Sequence, residues 1–384
     1  MTTFLATLRG QFSRRRYDLK HRSIYASAYQ EPLKNAVLFE SFQGKVVGDS
    51  PFEIAKEVHA QRPDLKLYWT VQNEAIQVPD WLNAVVFGSD EWLRLLATAK
   101  YLVNNAVFPW YFTKREGQMY LQTWHGTPLK RIVNDVKSGA ASRGYKHTVT
   151  REAKMWDFLI SPSQYSSDCF TSAFDFHGKF LQGGYPRNDR LVTHTDAERK
   201  RLRANLGIDS DSTRVILYTP TWRPHLRNGD GSWSAVDLFD CDVPDDCVLL
   251  YRGHTNTQAT AQVSNIRRKD VSTHPDVNDL IIAADVLVTD YSSIMFDFSI
   301  TGKPIVLLTP DIEKYAQDPG FYFDLKKLAP GPLYSSAAEV IRAIELSPDV
   351  SPDYYKDWQQ KFTSEEDGNA AKRAVKAVFL GDNA

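Results

Sequence analysis

The stretch Trp124-His125-Gly126-Thr127-Pro128-Leu129-Lys130 follows directly on the apolar run Met119 to Thr123. An imidazole at the end of a buried strand can exchange a proton near neutral pH. Gly126 lets a ligand approach the backbone, and Lys130 can meet an anion. The flanking Gly, Pro and Lys make His125 a residue of a loop entering a crevice rather than of a packed face. A second histidine with a basic neighbour, Arg252-Gly253-His254, follows another strand-like run. On an extended segment Arg252 and His254 share a face, and a phosphate meeting both gains charge-assisted hydrogen bonds. A third unit, Val286-Leu287-Val288-Thr289-Asp290-Tyr291-Ser292-Ser293, passes from strand through turn into helix. Its free N–H groups, the Ser292 and Ser293 hydroxyls and the positive helix end suit a phosphate, although either serine can instead cap the helix. Asp290 and Asp297 are candidates to orient a histidine or to bind a ribose. Thr219-Pro220-Thr221-Trp222-Arg223 also leaves a strand; Arg223 offers a fork to phosphate and Trp222 a face to a base. No acidic D-x-D spacing lies near these strand ends. Cationic side chains and helix ends, with no metal, are therefore expected to meet the phosphate charge.

Strands and helices must hold these clusters. Ala36–Phe39, Leu67–Thr70, Ala84–Phe87, Tyr101–Asn104, Tyr120–Thr123 and Phe158–Ser161 read as strands separated by helical patterns, which predicts a parallel sheet. Ser50-Pro51-Phe52-Glu53 reads as a capping box, with Ser50 at the N-cap and Pro51 at the first helical position. The loop before it, Ser41 to Asp49, is either a plain connection or a mobile lining of a ligand crevice. The composition shifts at Gly183-Gly184-Tyr185-Pro186-Arg187-Asn188-Asp189, after which Asp196 to Leu206 is a charged helix. Val215–Tyr218, Val248–Tyr251, Val286–Thr289 and Ile305–Leu308 then form a second series of strands. Gly302-Lys303-Pro304 stops the helix begun near Ser293. The expectation is an α/β chain of two Rossmann-like domains facing across a cleft, 31–190 and 191–384, after a basic segment 1–30. Neither half carries G-x-G-x-x-G, so nicotinamide or flavin binding is not indicated.

With 384 residues, two domains are expected. A formal charge of -1, from 46 basic and 47 acidic residues, argues against a general nucleic-acid binder. Cys169, Cys241 and Cys247 form no even disulfide framework and match no zinc spacing, which fits a reducing compartment. No apolar run is long enough to span a bilayer. The N-terminal stretch is basic, with Arg9, Arg14, Arg15, Arg16, Lys20, His21 and Arg22 around Phe4, Leu5, Leu8 and Phe12. It reads either as an amphipathic helix on an anionic membrane surface or as a helix packed along the domain.

Together these residues resemble the CDP-glycerol glycerophosphotransferases of teichoic acid synthesis, which have a GT-B-like two-domain fold. The likeness runs in order through Glu40 to Pro51, Leu121 to Lys130, Gly184 to Asp189, Leu217 to Arg223, Arg252 to His254 and Thr289 to Pro304. Thr255 departs from the family, which often has Pro there. The resemblance implies that His125 and His254 are required for transfer and that Arg252, Asp290, Ser292 and Ser293 line the donor phosphate site, to which the residue reading adds Arg223. On the residue reading Asp290, Gly126 and Trp222 line or orient the nucleotide, and no cofactor or metal is expected. It implies CDP-glycerol as donor, a lipid-linked saccharide or polyol-phosphate acceptor, and work in the cytoplasm on the inner face of the plasma membrane. CDP-ribitol, a GT-B glycosyltransferase using a nucleotide-sugar, and a non-catalytic polymer-binding protein are the alternatives. A first-unit and a chain-extending role are both compatible with these residues.

Overall fold

The structure is a computed structural model that describes residues 18–137, 142–221, 223, 239, 241–253, 267–317, 320–346 and 353–380. His254, Trp222, Arg9 and the Arg14-Arg15-Arg16 run lie outside the described residues. The first described helix, α1, covers 18–28. The N-terminal domain follows with β1 (Lys34–Glu40), α2 (Asp49–Gln61), β2 (Lys66–Val71), β3 (Asn83–Val86), α3 (Asp90–Thr98), β4 (Ala99–Asn104), β5 (Met119–Gln122), α4 (Arg143–Ala153), β6 (Phe158–Ser161), α5 (Gln164–Phe174) and β7 (Lys179–Gln182). Its seven strands are hydrogen-bonded in the order β3-β2-β1-β4-β5-β6-β7, and every pairing is parallel.

Two short helices, α6 (Asp189–Thr193) and α7 (Asp196–Asn205), lead into the second domain. There β8 (Arg214–Thr219), β9 (Cys247–Tyr251), β10 (Arg268–Asp270), α8 (Val277–Ala283), β11 (Val286–Thr289), α9 (Ile294–Ser299), β12 (Ile305–Leu308), α10 (Ile312–Tyr315), β13 (Leu333–Tyr334), α11 (Ala337–Leu346) and α12 (Asp353–Phe362) follow. This sheet has the order β10-β9-β8-β11-β12-β13, again parallel throughout. Both orders are those of a Rossmann-like sheet, in which the first strand sits centrally and the chain reverses direction of growth beside it. The near-continuous burial of Val37 to Phe39 and Val286 to Val288 follows from helices covering both sheet faces.

The last described helix, α13 (Ala370–Val375), and the π-helical turn Lys376–Leu380 depart from the expected domain division. Ala374, Val375, Val378 and Phe379 pack against Val37, Trp69 and Val103, so the chain returns to the N-terminal domain. Each large apolar side chain buried this way contributes about 1.5–3 kcal/mol, enough to tie the two domains together. Segment 191–384 is therefore not one unit, because residues 370–380 complete the other domain's core.

The capping box is also corrected. Helix α2 begins at Asp49 with Gly48 as N-cap, and the Asp49 carboxylate, not Ser50, accepts a nearby backbone bond, from the Ser50 N–H at 2.6 Å. Ser50 is left to accept from the Arg187 backbone N–H at 3.4 Å, and Glu53 pairs with Lys56. Gly302, at φ +70°, does end the turn after α9 as expected. All three cysteines are free thiols.

Candidate active site

Crevices outside the carboxyl ends of parallel strands, where strand order reverses, are the ligand sites of open α/β sheets. In the N-terminal domain that point lies between β1 and β4, whose exits carry Ser41-Phe42 and Asn105, with the exit of β5 beside them. In the second domain it lies between β8 and β11, whose exits carry Thr221, Arg223 and Asp290 to Ser293. The two reversals bring the sequence clusters toward one another.

His125 stands at the exit of β5. Its Nδ1 lies 2.7 Å from the Asn105 carbonyl oxygen, which can only accept, so Nδ1 carries the proton and Nε2 keeps its lone pair. The ring stacks on Trp124 at 4.2 Å and meets the Phe42 ring at 5.4 Å between centroids. The Asn105 side chain secures the same wall: it accepts from the Phe42 N–H at 2.8 Å and donates to Ser41 Oγ at 3.0 Å. The loop Ser41 to Gly48 thus lines the site as well as connecting β1 to α2. Trp124 holds a left-handed φ of +51°, a strained conformation of the kind that collects at working sites. His125 is deep among protein groups yet its ring is open to solvent. Desolvation there lowers its pKa below the usual 6.5; the Asn105 bond and Asp49 oppose this, and Arg187 adds to it. The imidazole is consequently neutral at pH 7, with Nε2 available as a base.

Gly126 is one of the places where the two domains touch. At its φ of +152° a Cβ would sit 3.3 Å from Ser293 Oγ and 3.8 Å from Arg187 Nη2. Ser293 is the N-cap of α9 but makes no side-chain capping bond, and Ser292 Oγ accepts from the Ile294 N–H at 3.4 Å. The His125 turn and the serine turn are thus neighbours, as their strand-end positions suggested.

Other expected residues are differently employed. Asp290 is buried and accepts from the Thr221 N–H at 2.9 Å, from Tyr291 N–H at 2.6 Å and from Arg223 Nη1 at 2.9 Å. Arg223 spends its remaining fork on Asp311, at 2.7 and 3.1 Å, and donates to the Thr221 carbonyl at 2.7 Å. This pair braces the β8 and β11 exits from below; four of the five Arg223 donors are already committed. Arg252 Nη1 donates to the carbonyls of Val271 and His274, at 3.2 and 2.8 Å, which leaves the rest of its guanidinium for a ligand. Lys130 reaches across to Tyr315, with Nζ 3.0 Å from the hydroxyl, and burial brings its pKa down to about 8. Asp297, a candidate to orient a histidine or to bind a ribose, is bound by Arg187 and Asn188. Among the described residues, no group of three or more His, Cys, Asp or Glu is placed to hold a metal ion.

Sequence reasoning missed Asn105 and Arg187, and reached Phe42 and Asp49 only through the alternative that the Ser41 to Asp49 loop lines a crevice. Arg187 lay in a turn-rich box read as a break between halves and as part of the family likeness, with no role given to the arginine. Its burial beneath a glycine 61 positions earlier leaves no local pattern.

Over residues 23–380 the chain matches the family described as CDP-Glycerol:Poly(glycerophosphate) glycerophosphotransferase. It is 35% identical to the teichoic acid glycerol-phosphate transferase of Staphylococcus aureus over 91% of this chain and 94% of that protein. Against the teichoic acid poly(glycerol phosphate) polymerase of Bacillus subtilis it is likewise 35% identical, over 94% of this chain, and there it spans about half of the relative's length, 51%. The solved wall teichoic acid polymerase TagF superposes with a TM-score of 0.85 at 33% identity, covering 97% of this chain and 95% of that one.

Proposed function

This chain belongs to the CDP-Glycerol:Poly(glycerophosphate) glycerophosphotransferase family, and we propose that it moves glycerol phosphate from CDP-glycerol to an acceptor hydroxyl in teichoic acid synthesis, releasing CMP. The observation that carries this reading is a histidine with Nδ1 pinned to a carbonyl, one residue before the glycine that packs against a serine turn at a helix start. The acceptor oxygen forms a bond to the glycerol-bearing phosphorus as the bond to CMP breaks. The hydroxyl proton passes to His125 Nε2, and the negative charge goes to CMP. Ser292, Ser293 and the uncommitted part of Arg252 suit the diphosphate, whose charge such donors stabilise in place of a metal. His254, two residues beyond Arg252, is assigned to the same phosphate on its sequence position. The Arg223–Asp290 pair supports this floor.

A lipid-linked acceptor would bring the enzyme to the inner membrane leaflet. No described helix is long and apolar enough to cross a membrane. The surface near α1 supports contact instead of insertion: Leu19 is 65% and Trp110 53% exposed, and the Arg22 guanidinium lies 5.8 Å from the Trp110 ring.

The test is incubation with CDP-glycerol, CDP-ribitol and UDP-sugars, each with a lipid-linked acceptor, followed by nucleotide analysis. CMP release with a new phosphodiester is expected from CDP-glycerol. UDP release with a glycosidic bond would replace this reading by a glycosyltransferase. Turnover in EDTA should persist, and complete loss restored by Mg²⁺ would overturn the metal-free account.

A further inference from the structure

We propose that Arg187 is a positioning residue for the transfer, clamping α2 of one domain to α9 of the other beneath the His125-Gly126 turn. This rests on the transferase reading above. The contacts are two-sided. Arg187 Nη1 lies 3.4 Å from Asp49 at the start of α2, while Nη2 lies 3.1 and 3.0 Å from the two oxygens of Asp297 on α9. Its backbone N–H donates to Ser50 Oγ at 3.4 Å, and its carbonyl accepts from Asn278 on α8. The next residue repeats the pattern: Asn188 Nδ2 donates to Asp297 at 2.9 Å and to Glu366 at 3.1 Å. Tyr185 lies 4.6 Å beneath the guanidinium.

Only 8% of the Arg187 side chain is exposed, with 13% and 11% for Asp49 and Asp297. Buried charge clusters of this kind are weak devices for stability, because removing the ions from water offsets their attraction. They do specify geometry. The geometry fixed here is the one the reaction needs: Arg187 Nη2 and Ser293 Oγ both lie against Gly126. Asp297 sits one helical turn beyond Ser293, so the clamp sets how close the phosphate-binding turn comes to the base. Asp49 and Arg187 are also the charged groups that act on His125, with opposite signs. Asp49 favours the imidazolium and Arg187 the neutral ring.

Two measurements test this, one with substrate and one without. In CDP-glycerol turnover by the full chain, Arg187→Gln and Asp297→Asn should lower kcat on the order of 10²-fold, as misplacing reacting groups by about 1 Å does. The KM for CDP-glycerol should move far less. Arg187→Lys keeps the charge but not the fork and should recover only part of kcat. In the substrate-free protein, NMR titration of His125 should shift down in Asp49→Asn and up in Arg187→Gln. Because that titration needs no donor, it reads the clamp even if CDP-glycerol is not turned over, an outcome that sinks the transferase reading alone. An unmoved His125 titration in both variants overturns the clamp, as does wild-type kcat in folded Arg187→Gln and Asp297→Asn.

Discussion

The proton chemistry of this site comes down to one imidazole and the carbonyl that holds it. The Asn105 oxygen accepts from Nδ1 at 2.7 Å, so the free nitrogen is the one facing away. His125→Ala removes the base while leaving the serine turn and Arg252 in place. Turnover should fall by roughly 10²–10⁴-fold, the usual worth of general acid–base catalysis, with CDP-glycerol binding nearly unchanged. Calorimetric titration beside steady-state rates separates the two effects. Because burial lowers the His125 pKa below 6.5, kcat/KM should hold through neutral pH and decline only as pH falls through that lowered value. A decline centred at or above 6.5 would assign the limb to another group. His125 was legible in the sequence, since a histidine flanked by Gly and Pro after an apolar run marks a strand exit. Asn105 was not, because a backbone carbonyl does its orienting work and carries no residue-type signal.

At the scale of elements, the central strands were readable from their apolar runs, and all ten expected ones are present with ends shifted by a residue or two. The three that escaped are β7, β10 and β13, all edge strands of their sheets. β10 is Arg268-Lys269-Asp270, without an apolar residue, and β13 has only two residues. Pairing on one side and little burial leave such strands no pattern to show. The Gly126 turn was legible as a place of close approach, but not what approaches it. Gly126→Ala puts a methyl 3.3 Å from Ser293 Oγ at a φ of +152°, so the turn is strained and the Ser293 side chain must give way by a few tenths of an ångström. Destabilisation of about 1–3 kcal/mol is expected from the strained backbone, together with a kcat loss larger than that of an alanine placed at the exposed Gly144. Thermal unfolding and turnover of the two variants check this, and equal kcat in both would detach the turn from the chemistry.

The whole molecule adds two behaviours that no single cluster predicts. Its N-terminal core contains Glu40, fully buried, which accepts from Trp92 Nε1 at 3.2 Å, the same N–H that also donates to Thr70 Oγ1 at 3.0 Å, while its other oxygen has no partner. Desolvation raises its pKa from 4.5 to about 8. A group that binds its proton more tightly when folded contributes stability present below 4.5 and lost as pH rises through about 8. Glu40→Gln should flatten the decline in Tm between those values, and an unchanged slope would place the buried charge elsewhere. The second behaviour is attachment. Tyr25 and Ala28 pack α1 into the domain core, so this helix is a packed element, and its outer side, with Leu19 and Arg22 beside Trp110, is what can meet a membrane. An exposed indole beside a guanidinium suits the headgroup region, and each Lys or Arg near an anionic surface contributes about 1 kcal/mol. Vesicles containing phosphatidylglycerol should sediment the full chain, less so as salt rises, and vesicles of phosphatidylcholine should not. Changing Arg14, Arg15, Arg16 and Lys20 to Gln should weaken binding through charge. Trp110→Ala should weaken it through the apolar contact, leaving its salt dependence intact. Transfer to a soluble acceptor analogue should persist in both variants. If both variants sediment as the parent does, α1 is only a brace for the domain and the lipid-linked acceptor must be met by another face.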